Sequence, residues 1–245
     1  MVRAGDRPTG RAVRLAVDPR APSPHAIAKA ASLLRRGGLV AFPTDTLYAL
    51  GADASNPLAL RRLFTAKGRS RANPIPLLVA DLGMATRMVG GLSHPVARLA
   101  ERYWPGPLTL LLSAPAGTSR WVISGTGQIG LRVPDSPLAL ALILRLGRPV
   151  TGTSANRSGG AAPRDADEVF RQLGDRVDLV LDGGPVPLGG PSTVLDVTVS
   201  PPVLIREGIV SQEEIFGVLA LQSRTRKIRG PDRDATKPFG KHSKI

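Results

Sequence analysis

The chain has 245 residues, 42% of them hydrophobic, a formal net charge of +14 and no cysteine. That length allows one large or two small domains with a real core, and the missing cysteines exclude a disulfide framework, a thiolate zinc site and a cysteine nucleophile, which fits a cytoplasmic protein. With three histidines, His25, His94 and His242, neither a histidine metal site nor a Ser-His-Asp triad is expected.

No apolar run approaches the ~20 residues needed to cross a bilayer, and the N-terminal arginines have no apolar segment behind them, so neither a membrane partner nor a secretory signal is expected. The charge is concentrated at the ends. Residues 1–22 hold five Arg against two Asp, and residues 222–245 hold eight Lys and Arg against two Asp. They read as a basic N-terminal extension and a basic, disordered tail around a folded domain over 23–221. Such a tail either aids solubility or attracts RNA weakly.

In chain order, Ser23-Pro24 predicts a capped helix with Ile27, Ala30, Ala31 and Leu34 on one face, stopped by Gly37-Gly38. Leu39–Phe42 reads as a strand. Asn56-Pro57 opens a helix with Leu60, Leu63 and Phe64 inward, ending near Gly68. Residues 77–80 predict a strand, and Asp81 and Ser93 the caps of two short helices. Leu108–Leu112 and Gln128–Val133 read as strands, and Ser136-Pro137 caps an apolar helix to about Leu146. Val150 lies in a strand that runs into Thr151–Gly159. Asp165 starts a helix carrying Val169, Phe170 and Leu173. Val177–Leu181, Thr193–Val197 and Val203–Arg206 are later strands, and Ser211 with Glu214 forms a capping box. Alternating strands and helices predict an α/β layered domain. The last two strands have no helix between them, which predicts a mixed sheet.

Thr151-Gly-Thr-Ser-Ala-Asn-Arg-Ser-Gly159 is rich in hydroxyls, an amide and glycine. It is either a polar turn or a wrap for phosphate oxygens, since both use the same residues. Lys67-Gly68-Arg69 sets two cations at a helix C-terminus, where they answer the helix dipole or hold phosphate. Pro43-Thr-Asp-Thr-Leu-Tyr48 brings hydroxyls and a carboxylate to a strand end, as ligand sites in α/β sheets do and as plain turns do. Trp104-Pro-Gly-Pro107 reads as a rigid turn. Arg132, inside an apolar strand, needs an anion, from the protein or a substrate. Gly125-Thr-Gly-Gln-Ile-Gly130 matches G-x-G-x-x-G, yet extended residues and Pro134 follow where a dinucleotide motif needs a helix. No Walker A sequence is present.

Taken in order, Pro43–Tyr48, Lys67-Gly-Arg69, Trp104-Pro-Gly-Pro-Leu-Thr109, Leu131-Arg-Val133, Thr153–Gly159, Pro191-Ser-Thr193 and Arg206-Glu-Gly208 make the chain resemble the YrdC-like family over about residues 23–219. The resemblance implies an α/β fold, a twisted mixed sheet flanked by helices around a deep basic cavity. It implies synthesis of threonylcarbamoyl-AMP from L-threonine, bicarbonate and ATP, with Mg²⁺ accompanying the ATP. The product would pass to a transferase that modifies tRNA. Lys67 and Arg69 would be catalytic. They would bind ATP together with Ser154, Asn156 and Arg206, while Thr44, Tyr48, Arg132, Thr153 and Ser192 would serve threonine.

The chain departs from the family pattern at Ala49, Ser70 and Gln128, and at Leu77 and Leu78, where many members place a histidine. Longer members add a C-terminal domain that is not expected here. Two alternatives are an RNA-binding or ribosome-maturation module on the same fold, and a carbamoyl-adenylate enzyme of the hydrogenase-maturation kind. The first has the basic ends but lacks an aromatic platform, with 4% aromatic residues. The second lacks the cysteines of its zinc fingers.

Overall fold

The computed structural model describes residues 12–228 except Ser124 and Thr126, with only the backbone for 221–228. Most of the basic tail, and with it the expectation of RNA binding there, lies outside these residues.

The elements run β1 Val13–Ala16, α1 Pro24–Arg35, β2 Val40–Pro43, β3 Tyr48–Gly51, α2 Pro57–Lys67, β4 Leu77–Leu78, α3 Leu82–Val89, α4 His94–Tyr103 and β5 Leu108–Ser113. They continue with β6 Gln128–Arg132, α5 Pro137–Leu146, β7 Val150–Thr151, β8 Thr153–Ser154, α6 Ala166–Leu173, β9 Leu179–Asp182, β10 Thr193–Asp196, β11 Val203–Arg206 and α7 Gln212–Ile228. Helix starts follow side-chain chemistry. Ser23, Asn56, Asp81, Ser136 and Asp165 each accept a backbone N–H of the first turn. Ser211 and Glu214 bond reciprocally, the Ser211 N–H donating to Glu214 Oε2 at 2.9 Å and the Glu214 N–H to Ser211 Oγ at 3.3 Å. Ser93 holds the N-cap position of α4 without a side-chain cap bond. Pro95, in that first turn, has no N–H to offer.

Two mixed sheets take the place of the single sheet expected. One has the order β1-β9-β2-β3-β8 and the other β11-β10-β5-β6-β4-β7. β10 and β11 are antiparallel, β10 and β5 parallel. The chain leaves one sheet for the other between β7 and β8, across Gly152. β1, inside the stretch read as an N-terminal extension, pairs in parallel with β9.

The core lies on both faces of β2 and β9. Leu39, Ala41 and Val180 join a large cluster with Leu60, Leu63, Leu99, Leu110 and Leu131. Val40, Phe42, Leu179 and Leu181 face α1 and α5 through Ala30, Leu34, Leu142 and Ile143. A strand covered on both sides reads as a continuous apolar run rather than an alternation. Six strand and helix ends then converge: the β2–β3 turn, the C-terminus of α2, the ends of β6 and β11, the start of β10, and the β7–β8 segment. Among the described residues no helix is long and apolar enough to cross a membrane.

Candidate active site

Helix α2 ends at Gly68, whose left-handed φ of 62° suits glycine. The last helical residue, Lys67, is 2% exposed. Its ammonium donates to the Ser154 carbonyl at 2.5 Å, the Asn156 carbonyl at 2.7 Å and Asn156 Oδ1 at 3.3 Å. In return the Ser158 N–H donates to the Lys67 carbonyl at 2.8 Å. Asn156 is equally committed: Oδ1 accepts from Ser154 Oγ at 2.5 Å, and Nδ2 donates to the carbonyls of Arg157 and Gly160.

Register places this loop. β8 pairs antiparallel with β3, Ser154 opposite Ala49 and the buried Thr153 opposite Leu50. Thr151 Oγ1 ties the preceding strand to β3, donating to the Leu50 carbonyl and accepting from the Ala52 N–H. Gly152 sits where a Cβ would meet Leu78 Cγ and Cδ2 at 2.8 Å.

Arg69 folds over the next loop, Nε donating to the Asn73 carbonyl at 3.0 Å and a terminal nitrogen to the Pro74 carbonyl at 2.8 Å. Arg206, at the end of β11, donates to the Ser192 carbonyl at 2.8 Å and to Ser192 Oγ at 3.4 Å. Ser192 Oγ also shares a hydrogen bond of 2.9 Å with Thr109 Oγ1.

Arg132 finds its anion inside the protein. It donates to Asp45 Oδ1 at 2.5 Å, to Thr46 Oγ1 at 2.9 Å and, through Nε, to the Gly106 carbonyl at 2.9 Å. The Trp104–Pro107 turn thereby supports the site through a backbone carbonyl. Arg132 and Asp45 are 6% and 4% exposed. Asp45 Oδ2 is buried without a hydrogen-bond partner. Thr44 Oγ1 accepts from the N–H groups of Thr46 and Leu47 and donates to the Leu47 carbonyl. Tyr48 is fully buried, its hydroxyl donating to the Gly184 carbonyl at 2.7 Å and accepting from the Gly183 N–H at 3.2 Å. Burial drives its pKa up.

The four cations act on one another. Burial, and then the charge of Arg69, lowers the Lys67 pKa to about 7. Burial and then Arg206 lower Arg69, and burial lowers Arg206. Burial lowers Arg132, Asp45 opposes the shift, and Arg206 adds to it. A run of desolvated positive charge of this kind is stabilised by an anion. Sequence reasoning had the cations and the Ser-Asn pair. It missed that Asp45 neutralises Arg132 and that Thr46 and the Gly106 carbonyl accept its other hydrogen bonds. The cost of a bare arginine in a strand was the available signal.

A family model described as "Telomere recombination", for Sua5, YciO and YrdC, matches residues 32–208. The chain belongs to the Sua5/YciO/YrdC family. The threonylcarbamoyl-AMP synthase of Bacillus subtilis is 42% identical over 194 residues, 79% of this chain and 56% of that protein. A putative threonylcarbamoyl-AMP synthase of Mycobacterium tuberculosis is 36% identical over 198 residues, 80% of this chain and 90% of that one. The chain thus spans little more than half of the first relative and most of the second. The crystal structure of P. abyssi Sua5 complexed with L-threonine superposes with a TM-score of 0.81 at 37% identity, covering 84% of this chain and 61% of that one. Lys67, Ser154 and Asn156 meet at the junction of α2 and β8, and Arg69 folds over the loop that follows α2.

Proposed function

We propose that the protein makes L-threonylcarbamoyl-AMP from L-threonine, bicarbonate and ATP, as the names of its relatives suggest. The observation that carries the reading is the direct contact of Lys67 with Ser154 and Asn156, beside Arg69 and Arg206. The threonine amine adds to CO₂ from bicarbonate and yields a carbamate. A carbamate oxygen attacks the α-phosphorus of ATP, the bond to the β-bridging oxygen breaks, and pyrophosphate leaves with the charge. Such a transfer needs positioning and charge neutralisation more than an acid–base pair, and this site offers cations, hydroxyls and amides.

In this reading Arg69, Arg206 and the Ser154 hydroxyl meet the phosphates, while Lys67 and Asn156 hold the loop and Lys67 contributes charge. Arg132, Thr44, Thr153 and Ser192 serve threonine, and Tyr48 shapes that end through the Gly183–Gly184 turn. The substrate carboxylate competes with Asp45 for Arg132. Mg²⁺ arrives with the nucleotide on phosphate oxygens and water. The product then goes to a separate transferase acting on tRNA. The test is incubation with ATP, labelled bicarbonate and threonine: threonine-dependent pyrophosphate release and a labelled carbamoyl adenylate are expected. Folded protein that releases no pyrophosphate under these conditions sinks the reading.

A further inference from the structure

Beside the Lys67–Arg69 loop, on the outer side of α2, lies a groove lined by Arg61, Phe64, Thr65, Gly68, Arg69, Arg71 and Trp121. Arg61, Phe64, Thr65 and Gly68 are spaced i, i+3, i+4, i+7 and so share one face of α2 and its cap. Trp121, from the segment between β5 and β6, closes the far wall. Its ring lies 5.2 Å from that of Phe64 at 53°, and the Arg71 guanidinium rests 4.4 Å from the Trp121 centroid.

Three arginines therefore line one groove. None of them pairs with a carboxylate among the described residues. Arg69 belongs both to this groove and to the candidate active site, where its charge depresses Lys67. Arg71 leans on an aromatic face, a weak contact at an exposed site that a charge-assisted bond to phosphate outcompetes. Thr65 spends its hydroxyl on the Arg61 carbonyl, at 3.1 Å, and Arg69 uses Nε and one terminal nitrogen on the Asn73 and Pro74 carbonyls, so the groove's charged donors are chiefly the guanidinium groups of Arg61 and Arg71, which suit the paired oxyanions of a diphosphate.

We propose that this groove is a binding site for inorganic pyrophosphate, taking the product from Arg69 to Arg71 and Arg61 as it leaves the α-phosphorus. As a product site it rests on the proposed synthesis. As an anion site it is measured without turnover. When pyrophosphate draws Arg71 off the Trp121 ring, the tryptophan environment changes.

The test titrates the full chain with sodium pyrophosphate and, separately, with AMP, by calorimetry and tryptophan fluorescence. Arg61→Ala and Arg71→Ala should each weaken pyrophosphate binding about tenfold, the usual loss of a hydrogen bond to a charged group, and leave AMP affinity unchanged. The fluorescence change should vanish in Trp121→Phe while pyrophosphate still binds by calorimetry. Unchanged pyrophosphate affinity in the folded double variant overturns the proposal. An equal loss for AMP also overturns it, because the arginines would then act only as a diffuse field. Pyrophosphate binding lost in these variants, with no threonine-dependent synthesis in the parent, would refute the reaction and leave the anion site standing.

Discussion

Lys67 meets Asn156 twice, at the backbone carbonyl 2.7 Å from Nζ and at Oδ1 3.3 Å away. With the Ser154 carbonyl these acceptors take all three ammonium protons. The lysine therefore organises the loop before any ligand arrives. Lys67→Met should leave buried acceptors without a donor, at a cost of about 1–3 kcal/mol, read by denaturant unfolding. ATP affinity should fall as well. Lys67→Arg should not restore either property, because a planar fork cannot replace a compact point charge among three converging carbonyl-type oxygens. Unaltered unfolding of the methionine variant would show that the knot carries no weight.

The same lysine predicts a pH dependence. Its folded pKa of about 7 lies below the ordinary 10.5. Between those values the unfolded chain holds the proton and the folded chain releases it, so this group makes stability rise with pH across that window. Anion binding runs the other way. The ammonium attracts phosphate, so ATP affinity should decline as pH rises through 7 and proton uptake should accompany binding above it. Calorimetry in buffers of different ionisation enthalpy reads that uptake, and Lys67→Met should abolish it.

Asp45 and Arg132 form a buried pair whose members are 87 positions apart in the chain. Asp45→Ala leaves a desolvated guanidinium without its counter-ion and should cost about 3–5 kcal/mol. Adding Arg132→Met should recover a good part of that loss, since the uncompensated charge is then gone. Equilibrium unfolding of the two single variants and the double variant measures the coupling. Additive losses would mean that the pair contributes no coupling.

Gly152 has no room for a side chain. A methyl there meets Leu78 at 2.8 Å, so Gly152→Ala should displace Leu78 or the β7–β8 connection, at about 1–3 kcal/mol of overpacking. Ser154 lies two residues on, and threonine-dependent activity should drop more than stability does. The reverse pattern would separate this turn from the site.

Much of the architecture was legible because caps and prolines announce helices: Asn56-Pro57, Ser136-Pro137 and Ser211 with Glu214 all stand where the side chains direct. Strands with less to say were missed. β1 lies at a sheet edge with Val13, Arg14 and Ala16 exposed, so its pattern carries no burial signal. β3 is buried on both faces and follows a turn motif, so it lacks the alternation that marks a half-exposed strand. Two-residue strands such as β7 and β8 are set by their partners. At the site, the order of short motifs, and the family resemblance it carries, pointed to Lys67, Arg69, Ser154 and Asn156. That Asp45 answers Arg132 depends on bringing the β2–β3 turn against the end of β6, a long-range relation that local pattern does not encode. Trp121 stood in no motif, and only packing against Phe64 and Arg71 gives it a place.

The crossing between sheets at Gly152 has a mechanical side. The strands flanking that glycine are hydrogen-bonded into different sheets, β7 to β4 and β8 to β3. Thr151 also reaches across to β3 through the Leu50 carbonyl and the Ala52 N–H, so Thr151 and Gly152 together join the two sheets just before Ser154 and Asn156. The segment that carries Ser154 and Asn156 is thus seated on both sheets at once, and its position follows both.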